Sequence, residues 1–285
     1  MKIRLLLTLL AIVPTAAFAW GDGCELRADR AAGTDAKGVE KVLIRTGAGD
    51  AKIVGRSNAV RIEARGTACA SKQEFLDAAQ IVVRREGNVV YVETELPQNN
   101  DGSWKLMGNN YAYIDIGIAL PSGIPVEAQD SSGDLVIEDL ASLVLTDSSG
   151  DLEINRIAGA VDVTDSSGDL DIEYAGSARV RDSSGDVGIE HIKGAVNIVN
   201  DSSGDIQIAD VQNDVLIESD SSGGIRVEEV RGSVTVESDS SGDIYAARVG
   251  GDFTVKSDTS GSIGHDSIGG RVSVPSHKRD EVDVE

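Results

Sequence analysis

The stretch Asp130-Ser131-Ser132-Gly133 decides how this chain is read, because it returns. The same four residues begin again at Asp147, Asp165, Asp182, Asp201, Asp220 and Asp239, and Asp-Thr-Ser-Gly begins at Asp258. The steps between these aspartates are 17, 18, 17, 19, 19, 19 and 19 residues. A nearly fixed period marks an architecture in which each repeat contacts mainly its neighbours.

Each Gly is followed by an alternating apolar run: Leu135 and Ile137, Leu152 and Ile154, Leu170 and Ile172, Val187 and Ile189, Ile206 and Ile208, Ile225 and Val227. Period-two alternation of branched residues predicts a short strand with one buried face. The residues between them, from Val136 and Glu153 through Tyr245, are expected to face water. Three residues past the second buried position stands a further apolar column: Leu140, Ile157, Ala175, Ile192, Val211, Val230, Val249 and Ile268. A second turn and a second alternating strand follow, as in Val196 and Ile198 or Phe253 and Val255.

One such unit cannot bury its apolar columns alone, whereas stacked units align them into a continuous core. The reading is an all-β chain: a parallel β-solenoid of about 17–19 residues and two short strands per rung, with an irregular β-rich N-terminal part. The eight corners would span roughly 34 Å at about 4.8 Å per rung. Within the corner, Asp and Ser are expected to accept hydrogen bonds from nearby backbone amides, and Gly to supply a positive φ. Stacking repeats the Asp as well, and charges about 4.8 Å apart repel by roughly 0.9 kcal/mol in water and 3.5 at an effective dielectric of 20. Amides, salt or bound cations would have to offset this.

Residues 1–19 read as a secretory signal, with Lys2 and Arg4 before the apolar Leu5–Val13 run and an Ala17-Phe18-Ala19 cleavage site. Cleavage is expected between Ala19 and Trp20, giving a periplasmic or extracellular mature protein with no membrane span. Cys24 and Cys69, the two cysteines of the chain, favour a disulfide in that compartment over two buried thiols. The net charge is -22, or -24 once Lys2 and Arg4 are removed (24 basic and 48 acidic residues). That balance argues against nucleic acid and anionic lipid as partners and allows divalent cations or basic surfaces.

Residues 20–128 read as β-rich without the strict repeat and as a cap on the solenoid of residues 129–274; residues 275–285 read as a disordered tail. Strands are expected at 39–45, 51–54, 60–64, 81–85, 89–96 and 111–120. A helix is expected over 72–80, with Phe75, Leu76 and Ala79 on one face. Gly47-Ala48-Gly49-Asp50 and the alternation after it look like a worn copy of the later corner. Trp104, in a polar loop, is either an anchor folded back on the sheet or a sugar-stacking platform.

Cys24, Ala68-Cys69-Ala70, Leu120-Pro121-Ser122-Gly123-Ile124-Pro125-Val126 and the Asp-Ser-Ser-Gly array together resemble the bacterial putative-adhesin family of β-strand-repeat proteins, which carry a domain of unknown function. The resemblance implies an all-β solenoid in the cell envelope, and it carries over no catalytic residues.

Enzymes built on β-helices use clustered carboxylates, and a catalytic pair should break the repeat by placing two of them in contrasting environments. No rung does so in sequence. Arg179 and Arg181 beside Asp182 form the most unusual set, read as an inter-rung ion pair. His191, His265 and His277 are too far apart in sequence to suggest a cluster, and neither a Gly-x-Ser-x-Gly elbow nor a phosphate loop occurs. Calcium is the strongest metal alternative, with Asp130, Asp147, Asp165, Asp182, Asp201, Asp220, Asp239 and Asp258 as candidate ligands, although the calcium-binding nonapeptide is absent. The expected function is a non-enzymatic, adhesin-like scaffold or binding surface for an envelope, glycan or protein ligand. The alternatives are a carbohydrate-active β-helix enzyme and a calcium-dependent module.

Overall fold

The computed structural model describes residues 24–97 and 110–276. The segment expected to be a secretory signal, its expected cleavage site, Trp104 and His277 lie outside the described residues. The chain forms a parallel β-solenoid of about eight turns with irregular N-terminal strands.

The N-terminal elements are β1 (Leu26–Asp35), β2 (Lys41–Arg45), β3 (Ala51–Arg56), β4 (Arg61–Ala70), α1 (Gln73–Ala78), β5 (Gln80–Glu86), β6 (Val89–Glu95) and β7 (Ala112–Pro121). The repeats follow as β8 (Val126–Gln129), β9 (Leu135–Glu138), β10 (Leu143–Thr146), β11 (Leu152–Thr164), β12 (Leu170–Arg181), β13 (Val187–Ile192) and β14 (Val196–Asn200). They continue through β15 (Ile206–Val211), β16 (Val215–Ile217), β17 (Ile225–Val230), β18 (Val234–Val236), β19 (Ile244–Val249), β20 (Phe253–Val255), β21 (Ile263–Ile268) and β22 (Val272–Ser273).

Two vertical ladders of parallel strands result. The strand after each corner pairs with its equivalent one repeat later, so that Leu152 faces Leu170, Val187 faces Ile206 and Ile225 faces Ile244. The strand before each corner does the same, as in Ala178 with Val196 and Val234 with Phe253. Inward side chains of both ladders are almost fully buried, including Ile137, Ile172, Ile189, Val234 and Phe253. Successive coils therefore add to one narrow aliphatic core.

The worn copy at Gly47–Asp50 is a true coil. Both β2 and β3 lie in the ladders, pairing in parallel with β8 and β9. On their other side they pair in parallel with β6 and β7. The coil formed by β2 and β3 thus lies between strands that come later in the chain. Antiparallel pairing is confined to the outer N-terminal strands, where β5 joins β6, and β4 joins both β7 and β1. Helix α1 packs Phe75 and Leu76 into the same end. These elements cover an edge that would otherwise present unpaired backbone. The Cys24–Cys69 disulfide, with Cα atoms 5.7 Å apart, ties the start of the described chain to β4.

Candidate functional site

The Asp-Ser-Ser-Gly edge is held by contacts between coils more than within them. The second Ser hydroxyl donates to the carbonyl of the first Ser one coil earlier: Ser167 to Ser148 at 3.2 Å, Ser184 to Ser166 at 3.1 Å, Ser222 to Ser202 at 3.1 Å. Where an Asp follows the corner Gly, as in six of the eight corners, it can accept from the backbone N–H at the same position in the next coil, as Asp151 does from Asp169 (3.1 Å) and Asp186 from Asp205 (2.8 Å). The Gly between them is fixed by space: at Gly204, φ is 130° and an added Cβ would lie 1.8 Å from the Gly185 carbonyl oxygen.

The first Asp of each corner is more buried than its turn-capping role requires. All eight, from Asp130 to Asp258, are 0–5% exposed and form a vertical file inside the solenoid. Local capping survives at a few, such as Asp165, which accepts from the Ser166 N–H at 2.7 Å, and Asp201, which accepts from Ser203 at 3.3 Å. At Asp147, Asp182 and Asp220 neither carboxyl oxygen has a partner at ordinary hydrogen-bond geometry among the described residues, although the backbone N–H groups of Ser148, of Ser183 and Ser184, and of Ser221 and Ser222 still favour their charged forms. Asp147 lies within hydrogen-bonding reach of Asp165, and Asp165 of Asp182. The Thr46 hydroxyl occupies the end of the file, beside Asp130.

Burial, reinforced by neighbouring carboxylates, pushes Asp147, Asp182 and Asp220 up to about 7; burial raises Asp201 to about 6. Asp130 and Asp165 are also raised, burial being the main cause. A protonated carboxyl can donate its O–H to the adjacent carboxylate, which satisfies an oxygen that has no other donor and removes one charge from the file. The raised values fit carboxyls that share protons, acting alongside the backbone amides that bond Asp165 and Asp201. Among the described residues no group of three or more His, Cys, Asp or Glu side chains is placed to hold a metal ion.

The second edge was not read from sequence. Asp139, Arg156, Tyr174, His191, Asp210, Glu229, Arg248 and Ser267 all adopt φ between 49° and 60° and stand in one column. Each non-Gly residue held there costs on the order of 1–2 kcal/mol. The signal was present in the spacing: two residues separate the inward Ile137 from the inward Leu140, where a flat strand would have one, so the chain must turn a corner.

Side chains of this column interact up and down the rod. Arg156 grips both carboxylate oxygens of Asp139, at 2.8 and 2.9 Å, and holds that carboxyl below the usual range. Tyr174 stacks on His191 with centroids 4.4 Å apart and planes 16° from parallel. His191 Nδ1 lies 2.8 Å from an Asp210 carboxylate oxygen, which raises the imidazole pKa. Arg248 bridges Glu228 and Glu229. Beside this edge lies a shallow depression of 370 Å³, lined by Asn155, Arg156, Ile157, Ala158, Tyr174 and Lys193.

The remaining residues singled out from sequence do not converge. His265 sits in register with Ala246 on the last coil, edge-on to Phe253 at 6.3 Å. Arg181 pairs with Asp162 of the preceding coil at 3.6 Å, whereas Asp182 points into the buried file.

A family profile described as Toastrack DUF4097 matches residues 122–190. No curated protein matches the chain. Among solved structures the chain is similar to a putative cell adhesion protein from Clostridium sporogenes, at 14% identity and a TM-score of 0.27, covering 87% of this chain and 99% of that one. It is also similar to a putative adhesin from Parabacteroides merdae, at 11% identity and a TM-score of 0.36, covering 90% and 98%. A putative lipid binding protein from Parabacteroides distasonis is 14% identical with a TM-score of 0.41, covering 89% of this chain and 95% of that one.

Proposed function

We propose that this protein is a non-enzymatic, extracytoplasmic binding scaffold, a stiff rod that presents side chains from fixed corners to an envelope, glycan or protein ligand. The observation that carries the reading is the division of labour within each coil. The Asp-Ser-Ser-Gly edge repeats a bonded structural ladder, whereas the left-handed edge changes residue from coil to coil on the same rigid backbone. A rigid support with a variable outer column suits recognition, because little conformational entropy is lost when a partner docks.

The carboxylates of the corner share one kind of environment, which fits a structural file better than an acid–base pair with contrasting environments. The disulfide fits an oxidising compartment. In this reading residues 1–19 are removed as a secretory signal, residues 20–128 cap the rod, 129–274 form its repeats and 275–285 are a tail. The adhesin-like role rests on resemblance.

Expression of the full chain in a bacterial host, followed by fractionation, N-terminal sequencing and thiol titration, tests the compartment. The expected result is an export-competent chain beginning at Trp20 with no free thiol. Retention of that chain on envelope fragments, competed by excess unlabelled protein, tests the binding role. A cytoplasmic, reduced chain that no envelope material retains would overturn the proposal.

A further inference from the structure

Two tyrosines stand on the outer surface of the repeats, and their surroundings differ. Tyr245 has Arg226, its register partner in the preceding coil, over its ring at 4.7 Å. Tyr174 is 50% exposed and rests on His191 of the following coil. The cation in the preceding coil, Arg156, is engaged instead by the two-pronged bond to Asp139 and by a further bond to Asn155 at 2.9 Å. Among the described residues no cation sits over the Tyr174 ring. Residues 155–158 of the preceding coil line the 370 Å³ depression together with Tyr174 and Lys193.

Small residues keep this space open. Ala158 and Gly176 follow the paired Ile157 and Ala175, and the equivalent residue one coil later is Lys193. The Lys193 side chain lines the depression and is exposed, with no ion pair among the described residues. Asn155 and Arg156 are held in place by their bonds to Glu173 and Asp139. The result is one exposed aromatic ring, prefixed planar polar groups and one ammonium donor around a space of ligand size.

We infer that this depression is a saccharide subsite: the C–H face of one pyranose ring stacks on Tyr174, and its hydroxyls are bonded by Lys193, Asn155 and Arg156. The apolar face of a sugar matches an exposed aromatic ring, while its equatorial hydroxyls match fixed amide and guanidinium groups. The inference rests on the scaffold reading and specifies the chemistry of its ligand.

The test is titration of the full chain with a neutral β-glucan tetrasaccharide and, separately, with a polyuronate tetrasaccharide, followed by amide chemical shifts. The expected result is saturable shifts centred on residues 155–158, 174 and 193. Tyr174→Asn tolerates the left-handed backbone and is expected to weaken binding about tenfold, whereas Tyr174→Phe stays within about threefold of the parent. Lys193→Ala is expected to weaken binding severalfold, more for the polyuronate. Unchanged binding by a folded Tyr174→Asn chain, or no saturable shift with either sugar, overturns the subsite. Envelope retention by a chain that ignores both sugars would overturn the subsite and leave the scaffold reading standing, so the two failures are distinguishable.

Discussion

The backbone N–H of Asp186 bonds the carboxylate of Asp169, one coil earlier, at 3.0 Å. The same bond joins Asp134 to Asp151 and Asp186 to Asp205, at 3.2 and 2.8 Å. Each is a bond between equivalent positions, so it exists only when coils are stacked in register. Asp186→Ala should remove the acceptor for Asp205 and cost about 1 kcal/mol, read as a lower midpoint in urea with an unchanged slope.

Gly204 is the harder constraint. Its Cβ would collide with the Gly185 carbonyl at 1.8 Å, and φ is 130°. Gly204→Ala should destabilise the rod by more than about 2 kcal/mol, since neither backbone segment can move without breaking strand pairing. Thermal unfolding followed by circular dichroism measures this. Ser267→Gly tests the opposite edge: φ there is 53° and, among the described residues, the Ser hydroxyl bonds its neighbour Asp266 alone, so stability should rise by about 0.5–1 kcal/mol.

The buried file sets the pH response. Asp147, Asp182 and Asp220 are raised to about 7 from an unfolded value near 4, so the folded chain binds more protons than the unfolded one. Stability from this source is complete below about pH 4 and is lost as pH rises through 6 to 7. His191, also raised, acts in the same direction, while the exposed Asp139 and Asp252, both lowered, oppose it weakly. The melting temperature should therefore be higher at pH 5 than at pH 8. Asp182→Asn should raise it at pH 8, leave it nearly unchanged at pH 5, and so flatten the profile. A melting temperature that climbs from pH 5 to pH 8 would show that the file is not protonated in the fold.

The disulfide should act on the outer N-terminal strands. It closes 45 residues, for which loop entropy allows up to about 4 kcal/mol. Reduction is expected to speed amide exchange in β1 and β4 while leaving β13 to β21 protected, because the two regions are joined mainly through neighbouring strands.

Much of this fold was legible because its instructions are local and repeated. Leu152 and Ile154 or Ile206 and Ile208 declare an inward face, and the corner recurs at a constant step. Val42, Ile44 and Ile53 carry the same alternation in the worn coil. Strand β1 was not read: its Leu26–Asp35 segment is Ala-rich and charged, and its place depends on β4. The order of the N-terminal coils was also hidden, since β2 and β3 are inserted between later strands and no sequence period records this. At the site, the aspartates were found but their direction was not. Turn chemistry explains the N–H bonds that Asp165 and Asp201 accept within their own corners, but not that all eight aspartates are buried in one file. The column from Asp139 to Ser267 escaped notice because its residues share a backbone conformation and no side-chain type.

Equivalent corners stack in parallel, one rung apart. Nitroxide labels at Glu153→Cys paired in turn with Gln207→Cys, Arg226→Cys and Tyr245→Cys, three, four and five coils away, measure this stacking by electron–electron dipolar distances. The expected distances are about 14, 19 and 24 Å, a constant increment of about 4.8 Å per coil. Distances that alternate, or that fail to grow with coil number, would place these strands in an antiparallel arrangement and contradict the stack.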